Sequence, residues 1–287
     1  VGNKVMRVDV KQRDKATIPP RVSYSQMSLY QQCGLKFFFG YIAGWQEPPT
    51  AALVGGNITH LVAEHLYKLP PEERTVETAL ELLREHGPQF LQKPQNLVFA
   101  DDNKMKKSVR EAVLNLFELE DPSTMVVLPE HLEMNLRVPI NGVEFTGTVD
   151  RFTQDGVNRV SDYKTGKSPG RFLDQKLTQP YLYALAFKTQ HAIEVDEVEL
   201  IYLNAKEVHR LPVEPGLMDA AGQQLVEMSE GSKNDFANSS WEAKTGPLCN
   251  YCAFKDVCPA FNAGTTSLMP GSDESNTFLS SAGLLQK

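Results

Sequence analysis

The sequence predicts an α/β fold, with a strand-rich middle and a helical cap built from the N-terminal third. Three observations carry this. Apolar residues recur at helical spacing from about residue 23 to 119. From about 125 to 164 the period changes to two. After that, helical and alternating segments follow one another to about residue 230.

Taken in order, residues 1–22 are polar, include Pro19-Pro20, and read as an N-terminal arm. From Ser23 to about Tyr41 the spacing predicts a helix carrying Leu29, Cys33 and Phe37. A second helix is expected over 54–67, entered through Gly55-Gly56, and two more over 75–91 and 103–119. Residues 125–139, 143–153 and 157–164 alternate as three strands. A helix follows over 171–189, then strands at 196–203 and 207–213 and a helix over 215–230. The Ser-, Gly- and Thr-rich stretch 263–287 reads as a flexible tail.

The chain of 287 residues is 41% apolar, enough for a core that needs no staple to fold. No run is apolar and long enough to span a bilayer, and no secretory leader is evident, so a cytoplasmic protein is expected and no membrane partner. The net charge of −7 does not advertise nucleic-acid binding. A local excess of cations does occur from Arg159 to Lys176: Arg159, Lys164, Lys167, Arg171 and Lys176 against Asp162 and Asp174.

The three-strand segment can be read for register. Asn141-Gly142 is a strong two-residue hairpin signal, and it sets Glu133 opposite Asp150. The next turn contains Asp155-Gly156. A two-residue loop there would put Asp150 and Asp162 on opposite faces, whereas a three-residue loop at 155–157 sets them opposite each other. Lys164 then shares their face. Alternating polar residues are ordinary on the wet face of a sheet. A row of like charges is not, because directly opposed carboxylates destabilise the pairing. A hard cation such as Mg²⁺ or Mn²⁺ removes that penalty, and a neighbouring lysine can then act on an attacking water or a developing phosphate charge.

The chain has four cysteines: Cys33 alone, then Cys249, Cys252 and Cys258 as C-x2-C-x5-C. Four thiolates suit either zinc or an iron–sulfur cluster. Either would tie the two ends of the fold together. Thr165-Gly166-Lys167-Ser168 mimics the end of a phosphate-binding loop, but Ser161 stands where that motif needs glycine, so no nucleotide partner is expected.

Three segments together resemble the PD-(D/E)XK nuclease superfamily, and within it the RecB-type branch: Gly147-Thr148-Val149-Asp150-Arg151, Asp162-Tyr163-Lys164-Thr165-Gly166, and Gln179-Pro180-Tyr181-Leu182-Tyr183. His60 matches the histidine that precedes them. The cysteine spacing is similar to that of the AddB nuclease domain and the CRISPR-associated iron–sulfur exonucleases. The resemblance implies a restriction-endonuclease-like core, a mixed central sheet flanked by helices. It implies a metal (Mg²⁺ or Mn²⁺) held by His60, Asp150, Asp162 and the Tyr163 carbonyl. Lys164 would assist the nucleophile, with Glu133 as a further acid. Gln179 and Tyr183 would shape the DNA path; apart from the resemblance, Arg151 and, in the basic segment, Lys167 and Arg171 are expected as further DNA contacts. A 4Fe–4S cluster would sit on Cys33, Cys249, Cys252 and Cys258.

The expectation is therefore one nuclease domain over 23–262, divided into a helical cap (23–122), a catalytic core (123–232) and an iron–sulfur segment (233–262). Its activity would be that of an exonuclease on single-stranded DNA or DNA ends in recombination, repair or replication. It would act in a bacterial, archaeal or virus-infected host cytoplasm, with a helicase or recombinase as a candidate second partner. The competing expectations are a catalytically idle DNA-binding or redox-sensing subunit, and a zinc-stabilised interaction domain.

Overall fold

The computed structural model describes residues 4–10, 16–91, 102–262 and 285–286. Along the chain run β1 (Lys4–Asp9), α1 (Tyr24–Gln32), α2 (Gly34–Phe37), β2 (Trp45–Gln46), α3 (Ala51–Lys68), α4 (Val76–Leu91) and α5 (Asp102–Leu119). Then come β3 (Leu132–Ile140), β4 (Val143–Gln154), β5 (Asn158–Lys164), α6 (Thr178–His191), β6 (Glu197–Tyr202), β7 (Glu207–Pro212), α7 (Pro215–Ala237), β8 (Ser240–Thr245) and β9 (Leu285–Gln286). The result is the expected α/β fold, a mixed central sheet flanked by helices. Among the described residues no helix is long and apolar enough to cross a membrane.

The chain divides into two compact units where one domain was expected. One unit holds Val1–Pro48, Asn141–Glu144 and Gln223–Lys287; the other holds Pro49–Ile140 and Phe145–Gly222. The expected cap is split accordingly: α1 and α2 belong with the C-terminal segment, and α3 to α5 with the sheet. The segment expected as an arm supplies β1, which pairs antiparallel with β8 from Lys4↔Thr245 to Asp9↔Ser240. Strands from opposite ends of a chain leave no local turn signal, so neither was legible in advance.

The sheet unit carries five strands in the order β3-β4-β5-β6-β7. β4 and β5 are antiparallel, β5 and β6 parallel, β6 and β7 antiparallel. A parallel neighbour requires a crossover, and α6 supplies it. The hairpin after β3 turns at Asn141 (φ 47°) and Gly142 (φ 80°), both left-handed as a type I′ turn demands. The next turn is the three-residue one. Gln154 pairs with Asn158 and Arg151 with Ser161, with Gly156 at φ 90°. Helices α3, α4 and α5 share an apolar core with Tyr163, Ile201 and Leu203 of the sheet side.

Gly55-Gly56 lies inside α3 and not at its entrance. Thr50 caps the helix, its side chain accepting from Leu53 N–H. The glycines serve close approach: a Cβ on Gly55 would meet Val109 Cγ2 at 3.1 Å, and one on Gly56 would meet Thr165 Oγ1 at 3.4 Å. The helix expected at 171 starts at Thr178, after two short turns over 170–172 and 174–176.

In the other unit, α1 starts on a capping box between Ser23 and Gln26. It stops at Cys33, whose extended backbone (φ −166°) breaks the helix expected to run to Tyr41. Phe37 and Phe38 pack on Trp241, while Phe39 stacks on Trp45 with centroids 4.8 Å apart. This buried aromatic cluster gives the unit a core of its own. The tail expected over 263–287 lies outside the described residues, except that Leu285-Gln286 pairs with Trp45-Gln46.

Candidate functional site

Four elements of the sheet unit bring polar side chains together. α3 supplies His60, β3 supplies Glu133, β4 supplies Asp150, and β5 supplies Asp162 and Lys164. The β4–β5 register, continued one step past Arg151↔Ser161, sets Asp150 beside Asp162 on one face. His60 Nδ1 lies 3.3 Å from Asp150 Oδ1, and the other Asp150 oxygen accepts from Tyr163 N–H at 2.7 Å. Ligand atoms of His60, Glu133 and Asp150 all lie within 4.8 Å of one another. Glu133 has φ 48°, a left-handed conformation that costs a residue with a Cβ about 1 kcal/mol or more and is typical of functional sites.

Asp162 is 3% exposed. Lys164 Nζ stands 2.6 Å from its Oδ2 as an ion pair. Lys164 Nζ also donates to Gln179 Oε1 at 2.8 Å, and Gln179 Nε2 donates to the Tyr183 hydroxyl at 2.8 Å. Gln179 and Tyr183 thus brace the lysine. Tyr183 is buried, so its ring does not itself line an open path. Gly147 makes room for it: a Cβ there would come within 2.6 Å of the Tyr183 ring.

The electrostatics are those of a carboxylate cluster short of positive charge. Burial raises Glu133 to about 7, with Asp150 adding to the effect. Burial raises Asp162 to about 6 against the pull of Lys164, with Asp150 again raising it. Burial opposes protonation of His60, but the Asp150 carboxylate outweighs it and lifts the imidazole to about 9. Burial likewise opposes the Lys164 charge, and Asp162 overcomes it, so the ammonium is retained. Protons held at these groups stand where a cation would otherwise neutralise the site.

Arg151 was expected to contact DNA; the structure corrects this. It is fully buried and points to the opposite face of the sheet. Its two terminal nitrogens bind both Glu120 oxygens at 2.8 Å, and the same group contacts the Tyr163 hydroxyl (2.5 Å) and Glu199 (3.3 Å). Glu120 and Glu199 escaped sequence reading because only the fold brings them to Arg151. Lys167 and Arg171 are exposed, as a phosphate contact requires.

In the other unit, Cys33, Cys249, Cys252 and Cys258 line one cavity with Phe39 and Phe254, and all four are free thiols. Gly246 N–H points at Cys249 Sγ at 3.4 Å. Burial pushes the Cys258 thiol up to about 11, with the other cysteines adding to the rise, and it raises Cys252 as well.

A family model of the PD-(D/E)XK nuclease superfamily matches residues 21–259. The chain belongs to that superfamily. Among curated relatives, the gene 69 protein of Mycobacterium phage L5 is 23% identical over 86% of this chain and 99% of its own length. The gene 69 protein of Mycobacterium phage D29 is 24% identical, over 84% and 97%. A crystal structure of a candidate exonuclease from Eubacterium rectale is 12% identical, with a TM-score of 0.48 over 74% of this chain and 82% of that one. PD-(D/E)XK nucleases use divalent metals, and the residues here fit one. The donor set that comes together, His60, Glu133 and Asp150, is carboxylate with one imidazole, as a hard divalent cation prefers.

Proposed function

We propose that this PD-(D/E)XK nuclease is a RecB-type, divalent-metal-dependent DNA exonuclease acting on single-stranded ends, with a structural 4Fe–4S cluster on Cys33, Cys249, Cys252 and Cys258. The observation that carries the catalytic reading is the pairing of Asp162 with a braced Lys164 beside the His60, Glu133 and Asp150 cluster. A complete set of acids plus lysine is what hydrolysis needs; an idle binding subunit has no use for a lysine held in this way. His60, Asp150, Asp162 and the Tyr163 carbonyl would hold Mg²⁺ or Mn²⁺, with Glu133 as a further acid. A bound ion of this kind supplies charge neutralisation at the phosphate and a water made acidic enough to attack it. Lys164, kept protonated by Asp162 and aimed by Gln179, orients the nucleophile and donates to the oxygen on which charge grows. Lys167 and Arg171 guide the strand through its phosphates.

The cysteine reading rests on convergence of the four thiols and on their spacing. Four thiols that line one cavity can hold either a zinc ion or a cluster, and the resemblance of the one-plus-three spacing to the iron–sulfur nucleases is what favours the cluster. Such a group would fasten α1 and α2 to the C-terminal segment within one unit. The phage relatives support work in a bacterial host cytoplasm; that the work belongs to replication, recombination or repair is part of the proposal.

The test of function is a gel with end-labelled linear single strands, duplexes and single-stranded circles, with and without Mn²⁺. Metal-dependent loss of linear single strands with circles spared is expected; circles cut as fast as linear DNA would make the enzyme an endonuclease. For the cluster, protein purified without oxygen should be brown, with about four irons per chain. Stoichiometric zinc without iron would overturn that part.

A further inference from the structure

The loop that joins β5 to α6 begins beside Lys164 and ends beside Gln179, and these two residues are hydrogen-bonded to each other. Both ends of the loop therefore meet at the candidate catalytic lysine, and Phe172 lies near its middle. The loop is tied down. Ser168 Oγ donates to Glu207 at 2.6 Å, Gly170 N–H donates to Ser168 Oγ, and Phe172 N–H donates to Pro169 O at 2.9 Å. Yet Phe172 is 47% exposed, which forfeits the burial a phenylalanine ordinarily gains. The Arg171 guanidinium lies 4.9 Å from its ring centre. Lys167, Arg171 and Lys176 are exposed and form no ion pair among the described residues, with Asp174 the one carboxylate between them in sequence. Lys164 is paired with Asp162, and the next cations beyond it on either side, Arg159 and Lys188, are both paired with glutamates.

An exposed ring under a guanidinium, fringed by unpaired cations, is the chemistry that stacks a nucleobase and holds its phosphate. Only an unpaired strand offers the face of an interior base. The geometry points to Phe172, with Arg171, as a stacking platform that selects single-stranded DNA at the entrance to the site. This rests on the proposed nuclease function and adds to it the residue that sets strand preference.

The test uses the full chain in a Lys164→Ala background, so that DNA survives. Phe172→Trp adds an exposed reporter, since the native Trp45 and Trp241 are buried. A dT15 oligonucleotide should quench this emission, and a blunt 15-mer duplex should quench it far less. Phe172→Ala should weaken dT15 binding about tenfold, and Phe172→Tyr should restore it. With Lys164 intact, Phe172→Ala should raise KM for linear single strands more than it lowers kcat. No quench by dT15, equal quench by duplex, or unchanged dT15 affinity in Phe172→Ala would each overturn the platform. If the wild-type protein degrades no single strands, the proposed function falls, and the quench and affinity measurements still judge the platform.

Discussion

Asp150 and Arg151 are neighbours in β4, and the two faces of the sheet treat them in opposite ways. Arg151 enters a buried network in which its charge is matched: Glu120 grips it with both oxygens, Glu199 and the Tyr163 hydroxyl flank it, and the Tyr67 ring lies 4.8 Å from it. Asp150 enters a cluster in which charge is not matched. Glu133 and Asp162 are pushed up toward neutrality, and His60 is driven to hold a proton. Both clusters are polar and sheltered, so burial does not distinguish them. The residual electrostatic demand does. A charge-matched network holds the fold together, even with the Arg151 Nε–H unpartnered, and a row of repelling carboxylates is poised to take a cation.

The largest effect should separate the faces by activity. Asp150→Ala, Asp162→Ala and Lys164→Ala should each lower cleavage of linear single strands by at least about 10³-fold, given how much charge stabilisation such groups supply. The Asp162→Ala urea midpoint should stay near or above that of the wild type, because a carboxylate is removed from a repelling row while Lys164 keeps Gln179 as its partner. Lys164→Ala leaves the buried Asp162 without its counter-charge and Asp150→Ala leaves the Tyr163 N–H without its acceptor, so both should lose some stability. Wild-type cleavage by any of the three would place the chemistry elsewhere.

Arg151→Ala should do the reverse in kind. Removing one partner of a buried ion pair leaves the other uncompensated and costs about 3–5 kcal/mol. Equilibrium denaturation should show that loss, and a fall in activity should track only the unfolded fraction. An Arg151→Ala protein of normal stability with weakened DNA binding would restore the surface role that its burial argues against.

The faces should also titrate with opposite sign. Burial opposes ionisation of Glu120, but the Arg151 charge outweighs it and holds the carboxyl below its ordinary range. A lowered carboxyl contributes stability above its unfolded value, about 4.3, that is lost as pH falls through the folded value. Glu120→Gln should therefore remove part of the acid sensitivity below about pH 4.3. Glu133 and Asp162 are raised, to about 7 and about 6, so in EDTA they cost stability that grows as pH rises from their unfolded values through these folded ones. His60, raised to about 9, contributes stability below its unfolded value that is lost as pH rises through 9. Metal-free protein should thus weaken between pH 5 and 9, which urea midpoints across that range would reveal. A flat profile would mean that the cluster is less strained than its geometry implies.

The smallest effect concerns the brace. Gln179→Ala frees Lys164 without removing it, and a loss of about 10-fold in kcat with little change in KM is expected for a lost positioning contact. Tyr183→Phe should lose less, since it acts through Gln179. Equal losses in both variants would show that the hydroxyl bears on the lysine by another route.

The central sheet and the site's main acids were legible because their information is local. Asn141-Gly142 and the glycine of the second turn specify hairpins, and the two-residue period of a strand then decides which carboxylates share a face. The Asp150 and Asp162 pairing follows from turn length alone. The helix spacing likewise marked α4 and α5 to within a residue or two. What the tertiary structure alone decided is everything that depends on distant partners. The fate of Arg151 turned on Glu120 and Glu199, the place of Gly55-Gly56 on Val109 and Thr165, and the brace on Lys164 on Gln179. β1 and β8, drawn from the two ends of the chain, made a second unit that no turn announces. A local pattern states which way a side chain can face. Whether that face meets a partner, a ligand or water is set by long-range packing, which no short stretch of sequence encodes.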